Sequence, residues 1–367
     1  MNCRAYKYSI YPDDKQKVLL EKTFGCVRVV WNRNVFVFNS YDKDSNPTPV
    51  YQSSTAMRSE FDWMKEVSAA ALQQKEIDFK TFKKNYFSKN RKNRIGRCAF
   101  KKRTSNQSFR LPNQKFTFGN HLIRLEKIGW VKMKVDRRPN KNCKFLSVTV
   151  SKDSVGKYFA SVLVEENILN QNPTHKAVGL DLGIKDFVIT SDGDKVSNPK
   201  WFRESQAKLR SAQKNLSRKR KGSQRFRKCK STIARIHSKI SNQRRWFHHQ
   251  LSHELVRDYD FIAIEDLNVK GMLKNHKLAK SISDAGWSQF VNFLTYKANW
   301  NNKQIVRINR FFPSSKTCSE CGWVKNNLTL SDREFICESC GCVHDRDVNA
   351  AINILKQGLS AQGVACA

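Results

Sequence analysis

Three carboxylates stand where a carboxylate is costly to keep. In residues 176–190, KAVGLDLGIKDFVIT, Asp181 lies in an apolar run that reads as a strand, a tight turn at Gly183 and a second strand. In residues 259–269, YDFIAIEDLNV, a β-rich run ends on Glu265 and Asp266. In residues 341–355, GCVHDRDVNAAINIL, Asp345 and Asp347 precede a helical pattern. A carboxylate buried without a partner is unstable, and a hard divalent cation is a partner that makes such a placement useful. Acids at two strand ends and a helix start can meet only through a fold. Converging carboxylates are what two-metal phosphoryl transfer requires, one ion activating a water and the other stabilising the leaving oxygen. Asp266 and Asp345 also suit N-capping. We assign them that role and expect Asp181, Glu265 and Asp347 to be the catalytic acids, the ligands of two magnesium ions.

A second constellation is built of thiols. Cys318-x-x-Cys321 and Cys337-x-x-Cys340 form two knuckles at the spacing of a four-cysteine zinc ribbon, where four thiolates close a tetrahedral site. Four protein ligands leave no open position, so the expected zinc is structural. Cys3, Cys26, Cys98, Cys143, Cys229 and Cys366 read as ordinary thiols of a reducing compartment, and Cys342 as a spare beside the cluster.

The elements that must carry these residues follow from periodicity. Residues 2–11 alternate and stop at Pro12, a short strand; Asp13 and Asp14 then open a helix through about Lys22. Residues 25–38 give a second apolar helical stretch, 42–49 a polar loop, and 52–87 a helical region with Gln73 and Gln74 beside its apolar face. Residues 83–102 mix cations with rings, a combination suited to phosphates and bases. From 108 to 166 the period becomes two, which indicates a small antiparallel barrel or sandwich. The first strand is expected to pair into it, making the helices an insertion. Residues 170–174 link to the Asp181 strand. Residues 201–250 are strongly basic with one acid, Glu204, and read as a helical hairpin broken at Gly222. With so few acids, salt bridges cannot be its purpose, whereas a nucleic-acid backbone can. His248, His249 and His253 are assigned to packing or solvent. Ser283–Asp284 read as the capped start of an amphipathic helix, and 304–311 as a strand.

The chain has 367 residues and a formal net charge of +36, with Lys+Arg 68 against Asp+Glu 32. Such self-repulsion is relieved by a polyanionic partner, and nucleic acid is the natural one. Hydrophobic residues at 39% support real cores and exclude a disordered tail protein. No apolar run reaches bilayer length and the N-terminus lacks a signal-peptide core, so a cytoplasmic, nucleoid-associated protein with no membrane partner is expected.

Taken together, these segments resemble the TnpB proteins encoded by bacterial and archaeal insertion sequences, relatives of type V CRISPR effectors. The resemblance spans essentially the whole chain: AYKYSIYP, FGCVRVVWN, residues 63–73, GLDLGIKDF, RKRKGSQRF, IAIEDLNVKGM, SISDAGWSQF, FFPSSKTCSECG and CGCVHDRDVNAAINIL. It implies a multidomain α+β protein. Residues 1–12 and 97–170 would form an oligonucleotide-binding-like wedge barrel, and 13–96 a helical recognition lobe. Residues 171–311 and 345–367 would form a RuvC-like, RNase H-type nuclease domain, with 312–344 as its zinc insert. Asp181, Glu265 and Asp347 match the three catalytic acids of that domain. The resemblance further implies an endonuclease that cuts double-stranded DNA beside a short motif, directed by a guide RNA from the transposon end (the ωRNA). Gln73 is the candidate contact to that motif, with Ser54 and Gln114 as weaker ones. Because base pairing to the guide would read sequence, the protein needs mainly phosphate-binding charge.

Three other readings are open to the same residues. A guided DNA-binding repressor would be expected to have lost acids, and all three positions are filled. An RNA-independent RNase H-like transposase or resolvase would use identical acids and metals; tightly bound RNA separates the two. A zinc-ribbon DNA-binding factor leaves the Asp181 and Glu265 strands unexplained.

Overall fold

The computed structural model describes residues 2–40, 51–88, 96, 98–104, 106–167, 172–329 and 332–361. The expected polar loop at 42–49, part of the basic stretch at 83–102, the first residues of the linker at 170–174, and Cys366 lie outside the described residues. Contacts divide the chain into two compact units, Met1–Asn167 and Ile168–Ala367.

The first unit opens with β1 (Asn2–Tyr11), followed by α1 (Asp14–Asn39), α2 (Ser54–Glu60), a 3-10 turn (Asp62–Glu66) and α3 (Ala69–Phe87). Then come β2 (Gln107–Pro112), a 3-10 turn (Asn113–Lys115), β3 (Phe116–Phe118), β4 (Leu122–Leu125), β5 (Gly129–Lys134), β6 (Lys144–Lys152) and β7 (Tyr158–Glu166). The strands form one antiparallel sheet in the order β2-β6-β7-β1-β5-β4-β3. It curls into a nearly closed barrel: Phe118 of β3 stacks on Phe145 of β6 with ring centroids 5.4 Å apart. Alternation in β1 turns Tyr6, Tyr8 and Ile10 into the core.

Two helical expectations need correction. The segments at 13–22 and 25–38 are one helix, because Leu20, Phe24, Val27 and Val30 continue a single buried stripe through Gly25. Asp13 starts it with a capping box shared with Gln16. Conversely, 52–87 is not continuous. Phe61 is extended and ends α2, and Ser68 caps a new helix by accepting from the Ala71 amide.

The second unit contains β8 (Ala177–Asp181), β9 (Asp186–Thr190), β10 (Lys195–Ser197), α4 (Trp201–Ser217) and α5 (Gln224–Asp258). They are followed by β11 (Phe261–Glu265), α6 (Val269–Met272), α7 (Ala279–Ala285), α8 (Trp287–Trp300) and β12 (Gln304–Ile308). The chain closes with β13 (Glu334–Ile336), β14 (Val343–Asp345) and α9 (Arg346–Ser360). The main sheet runs β10-β9-β8-β11-β12. Strands β8 to β10 are antiparallel neighbours, whereas β8, β11 and β12 are parallel. Val178, Leu180, Ile262 and Ile264 pack with Leu251, Leu255, Phe290 and Leu294 of α5 and α8. Phe261, Ala263 and Ile308 pack with Ile354 of α9 on the other face. Cover on both faces explains why β8 and β11 read as unbroken apolar runs.

The Ser283–Asp284 cap is also corrected. Both residues lie in the last turns of α7, which ends at Gly286 in the left-handed region (φ 68°), and α8 begins at Trp287. Asp284 instead accepts the Phe202 amide at the start of α4 and pairs with Arg244 at 3.0 Å. His248 is buried, bonds the Ala285 carbonyl through Nε2 at 3.0 Å and stacks on Phe187, so it packs. Among the described residues no helix is long and apolar enough to cross a membrane.

Candidate active site and thiol cluster

Register and alternation bring the three acids together. Strands β8 and β11 are parallel with Leu180 opposite Ile264, so the next residues, Asp181 and Glu265, end adjacent strands side by side. A period of two puts Asp181 on the face of Ala177 and Gly179, and Glu265 on the face of Phe261 and Ala263. That is the face crossed by α9. The helix lies so close that a Cβ on Gly179 would be 2.0 Å from the Ala351 carbonyl oxygen, and one on Gly358 would be 2.6 Å from the Ala263 Cβ. Asp347 is one turn before Ala351 and therefore hangs over the same strand ends.

All three acids line one cleft of about 1020 Å³. Lys185, Lys200, Arg203, Lys277, Lys280 and Arg333 line it too, giving an acidic centre inside a cationic rim. Each acid differs in its partners. Burial drives the Asp181 pKa up to about 7, reinforced by the neighbouring charges of Glu265 and Asp347 and opposed by Arg346. Glu265 accepts a 2.6 Å hydrogen bond from the Ser314 hydroxyl. Asp347 accepts from Arg346 through Nε at 3.0 Å and Nη2 at 2.8 Å. Asp345 caps α9, accepting from the Asp347 and Val348 amides. Asp266 is not a cap: Asn268 starts α6, and Asp266 pairs with Arg310 and, at 3.9 Å, Arg307.

The four knuckle cysteines form a set whose sulfurs all lie within 4.8 Å of one another. Sγ separations are 3.7 Å for Cys318–Cys340 and 3.5 Å for Cys321–Cys337. A tetrahedron of Zn–S bonds has edges of about 3.8 Å, so the arrangement fits zinc. Gly322 and Gly341 follow the two knuckles with φ of 78° and 75°, which a side chain would resist. The Cys342 carbonyl accepts from the Cys337 amide at 2.9 Å.

The three candidate DNA contacts separate. Gln73 is exposed on α3, and Gln114 is exposed in the 3-10 turn at Asn113–Lys115. Glu126 ties these regions together, taking the Ser68 hydroxyl at the start of α3 and Lys115 at 2.7 Å. Ser54 is 1% exposed and its hydroxyl donates to Glu76, which removes it from the surface a duplex could touch.

Family models match three stretches: one described as "Probable transposase" over residues 159–276, the Cas12f1-like TNB domain over 287–354, and a helix-turn-helix domain over 1–34. In this fold the described part of that stretch holds β1 and most of α1. A TnpB-like protein of Methanocaldococcus jannaschii is 25% identical across 61% of this chain and 81% of its own. InsQ of Escherichia coli K12, provisionally named an RNA-guided DNA endonuclease, is 31% identical across 97% and 92%. A Streptomyces pristinaespiralis protein with the same provisional name is 40% identical over 365 residues, 98% of this chain and 90% of its own. The chain belongs to the TnpB family. Its fold is also that of Cas12f1: a solved Cas12f1–sgRNA–target DNA complex superposes with a TM-score of 0.53 at 12% identity, covering 96% of this chain and 98% of that one.

Within this TnpB chain, Ser314, Arg346 and Arg333 escaped the sequence reading. Their neighbours could have flagged them: Ser314 lies four residues before the first knuckle and Arg346 touches Asp347 in sequence. Nothing in their types alone separates them from ordinary polar loop residues.

Proposed function

We propose that this TnpB protein is an RNA-guided DNA endonuclease that hydrolyses the phosphodiester bonds of double-stranded DNA. The convergence of Asp181, Glu265 and Asp347 at one end of the main sheet carries the reading. An oxygen-only donor set in a cationic cleft suits magnesium. Bound there, a pair of such ions would supply an activated water and charge neutralisation at the leaving oxygen. Asp181 and Glu265 offer carboxylates from rigid strand ends, and α9 brings Asp347 across them. The rim lysines and arginines hold the scissile phosphate's neighbours. The sheet order, with a three-stranded antiparallel meander and parallel strands beyond it, supports a RuvC-like, RNase H-type domain over 171–311 and 345–367. The thiol set supports a structural zinc in the 312–344 insert.

The barrel of the first unit is read as the wedge, 1–12 and 97–170, and the helices of 13–96 as the recognition lobe. Gln73, and with it Gln114, is assigned to reading the bases beside the target; an amide can address adenine with paired hydrogen bonds. Guide RNA and target DNA account for the +36 net charge. The protein is assigned to the cytoplasm, at the nucleoid. The test is to purify it from cells that also express the transposon-end RNA. Bound RNA of defined sequence, with guide-directed cutting in magnesium, is the expected result; protein free of RNA that cuts without a guide would overturn it.

A further inference from the structure

Two buried amides on α9 have been given no role so far. Asn349 and Asn353 stand one helical turn apart, 0% and 4% exposed. Burying an amide is unfavourable unless its hydrogen bonds are made, and here they are made to one loop. Asn349 Oδ1 accepts from the Ser319 amide at 2.8 Å while its Nδ2 donates to the Thr317 carbonyl at 2.7 Å. Asn353 Nδ2 donates to the Thr317 carbonyl at 2.6 Å and the Ser314 carbonyl at 2.9 Å. Lys356, further along the same helix, bonds the Ser319 carbonyl. The loop is closed internally as well, since the Thr317 amide and hydroxyl both bond the Pro313 carbonyl.

This loop has two ends that matter. One end is Cys318, 1% exposed and the first thiol of the cluster. The other is Ser314, 6% exposed, whose hydroxyl donates to Glu265. Side-chain bonds from α9, the helix that carries Asp347, therefore hold the residues on both sides of Cys318 and also Ser314, whose hydroxyl reaches the Glu265 carboxylate.

We propose that Ser314 is a positioning residue for Glu265, held in place by Asn349 and Asn353, and that zinc in the ribbon steadies the catalytic carboxylates through this loop. The inference rests on Glu265 being a metal ligand. Fixing one carboxylate oxygen with a hydroxyl sets the plane of the group and leaves its other oxygen to a cation. Partners of this kind typically change metal affinity or activity about 10- to 100-fold when removed. The ribbon is then part of the active site's support and not only an insert that folds by itself.

The test counts Mn2+ bound by the full chain in complex with its guide RNA, using electron paramagnetic resonance. The signal at the acids is the excess over the Glu265→Gln complex. Ser314→Ala should weaken that binding at least about tenfold and slow guided cleavage, while zinc content and guided DNA binding stay unchanged. Ser314→Thr, which keeps the hydroxyl, should recover most of the affinity, and Asn353→Ala should reproduce the loss. Cys321→Ser should lose zinc and show the same Mn2+ defect; if it does not fold, Asn353→Ala carries that half of the test. Wild-type Mn2+ affinity in Ser314→Ala overturns the proposal, as does loss of zinc or DNA binding in that variant. If Glu265→Gln itself binds Mn2+ like the wild type, the assignment of Glu265 fails instead, so the two failures are distinct.

Discussion

Asp181, Glu265 and Asp347 could be picked out as a converging set from the sequence, because each closes an apolar strand or opens a helix, and all three line one cleft. Their partners could not, since Ser314 and Arg346 are ordinary residues until the fold brings them to the acids. If the three carboxylates are metal ligands, Glu265→Gln and Asp181→Ala should abolish guided cleavage while guided binding stays near wild type. Gel-shift and cleavage assays on the same preparation read both; loss of binding in step with cleavage would contradict the assignment. A second acid shows how charge is managed when its task is stability. Burial raises the Asp260 pKa, but the Lys303 ammonium and the Thr174 and His175 amides outweigh it and hold the group at about 2. Lys303 is itself buried, so Asp260→Asn strands an ammonium and should cost about 3 kcal/mol. Because the folded pKa lies below the unfolded value of about 4, this stability is complete above pH ~4 and is lost as pH falls toward 2. The melting-temperature gap between wild type and Asp260→Asn should therefore close with acidification.

Elements were most legible where periodicity was long, and least where a local signal competed with packing. The barrel strands follow directly from alternation, β8 and β11 from unbroken apolar runs, and the basic hairpin α4–α5 from the break at Gly222. Gly25 looked like a helix boundary, yet α1 runs through it, because the buried stripe outweighs the modest helical cost of one glycine. Ser283–Asp284 looked like a helix start, but Gly286 decides where α7 ends. Asp266 likewise looked like a cap until Arg310 was seen to claim it. Close contact between α9 and the sheet was invisible in sequence, although it sets the site: Gly179 lets Ala351 sit on β8 and so fixes how far Asp347 lies from Asp181. Gly179→Ala has to push the helix away or fail to pack. It should destabilise the protein by about 1–3 kcal/mol and reduce cleavage more than DNA binding, read by thermal melting and matched cleavage and binding assays.

At the scale of the molecule, the division between positive charge and a few placed acids explains how one modest chain could handle two nucleic acids. Base pairing with a guide would do the reading, leaving the protein to grip backbones and present carboxylates. If zinc closes the four thiols, the ribbon would add a requirement that composition cannot show, a loop before them that stands firm only when the metal is bound. Cys318→Ser should lower zinc to well below one per chain by elemental analysis and reduce soluble yield; a folded, active, zinc-free variant would count against a structural role. The most direct test of the whole account is magnesium-dependent cleavage of a plasmid library carrying a guide match beside randomised bases, with Asp181→Ala alongside. The account predicts guide-dependent cutting that selects one short flanking motif and disappears in Asp181→Ala. Cutting that ignores the guide, or that survives in Asp181→Ala, would contradict it.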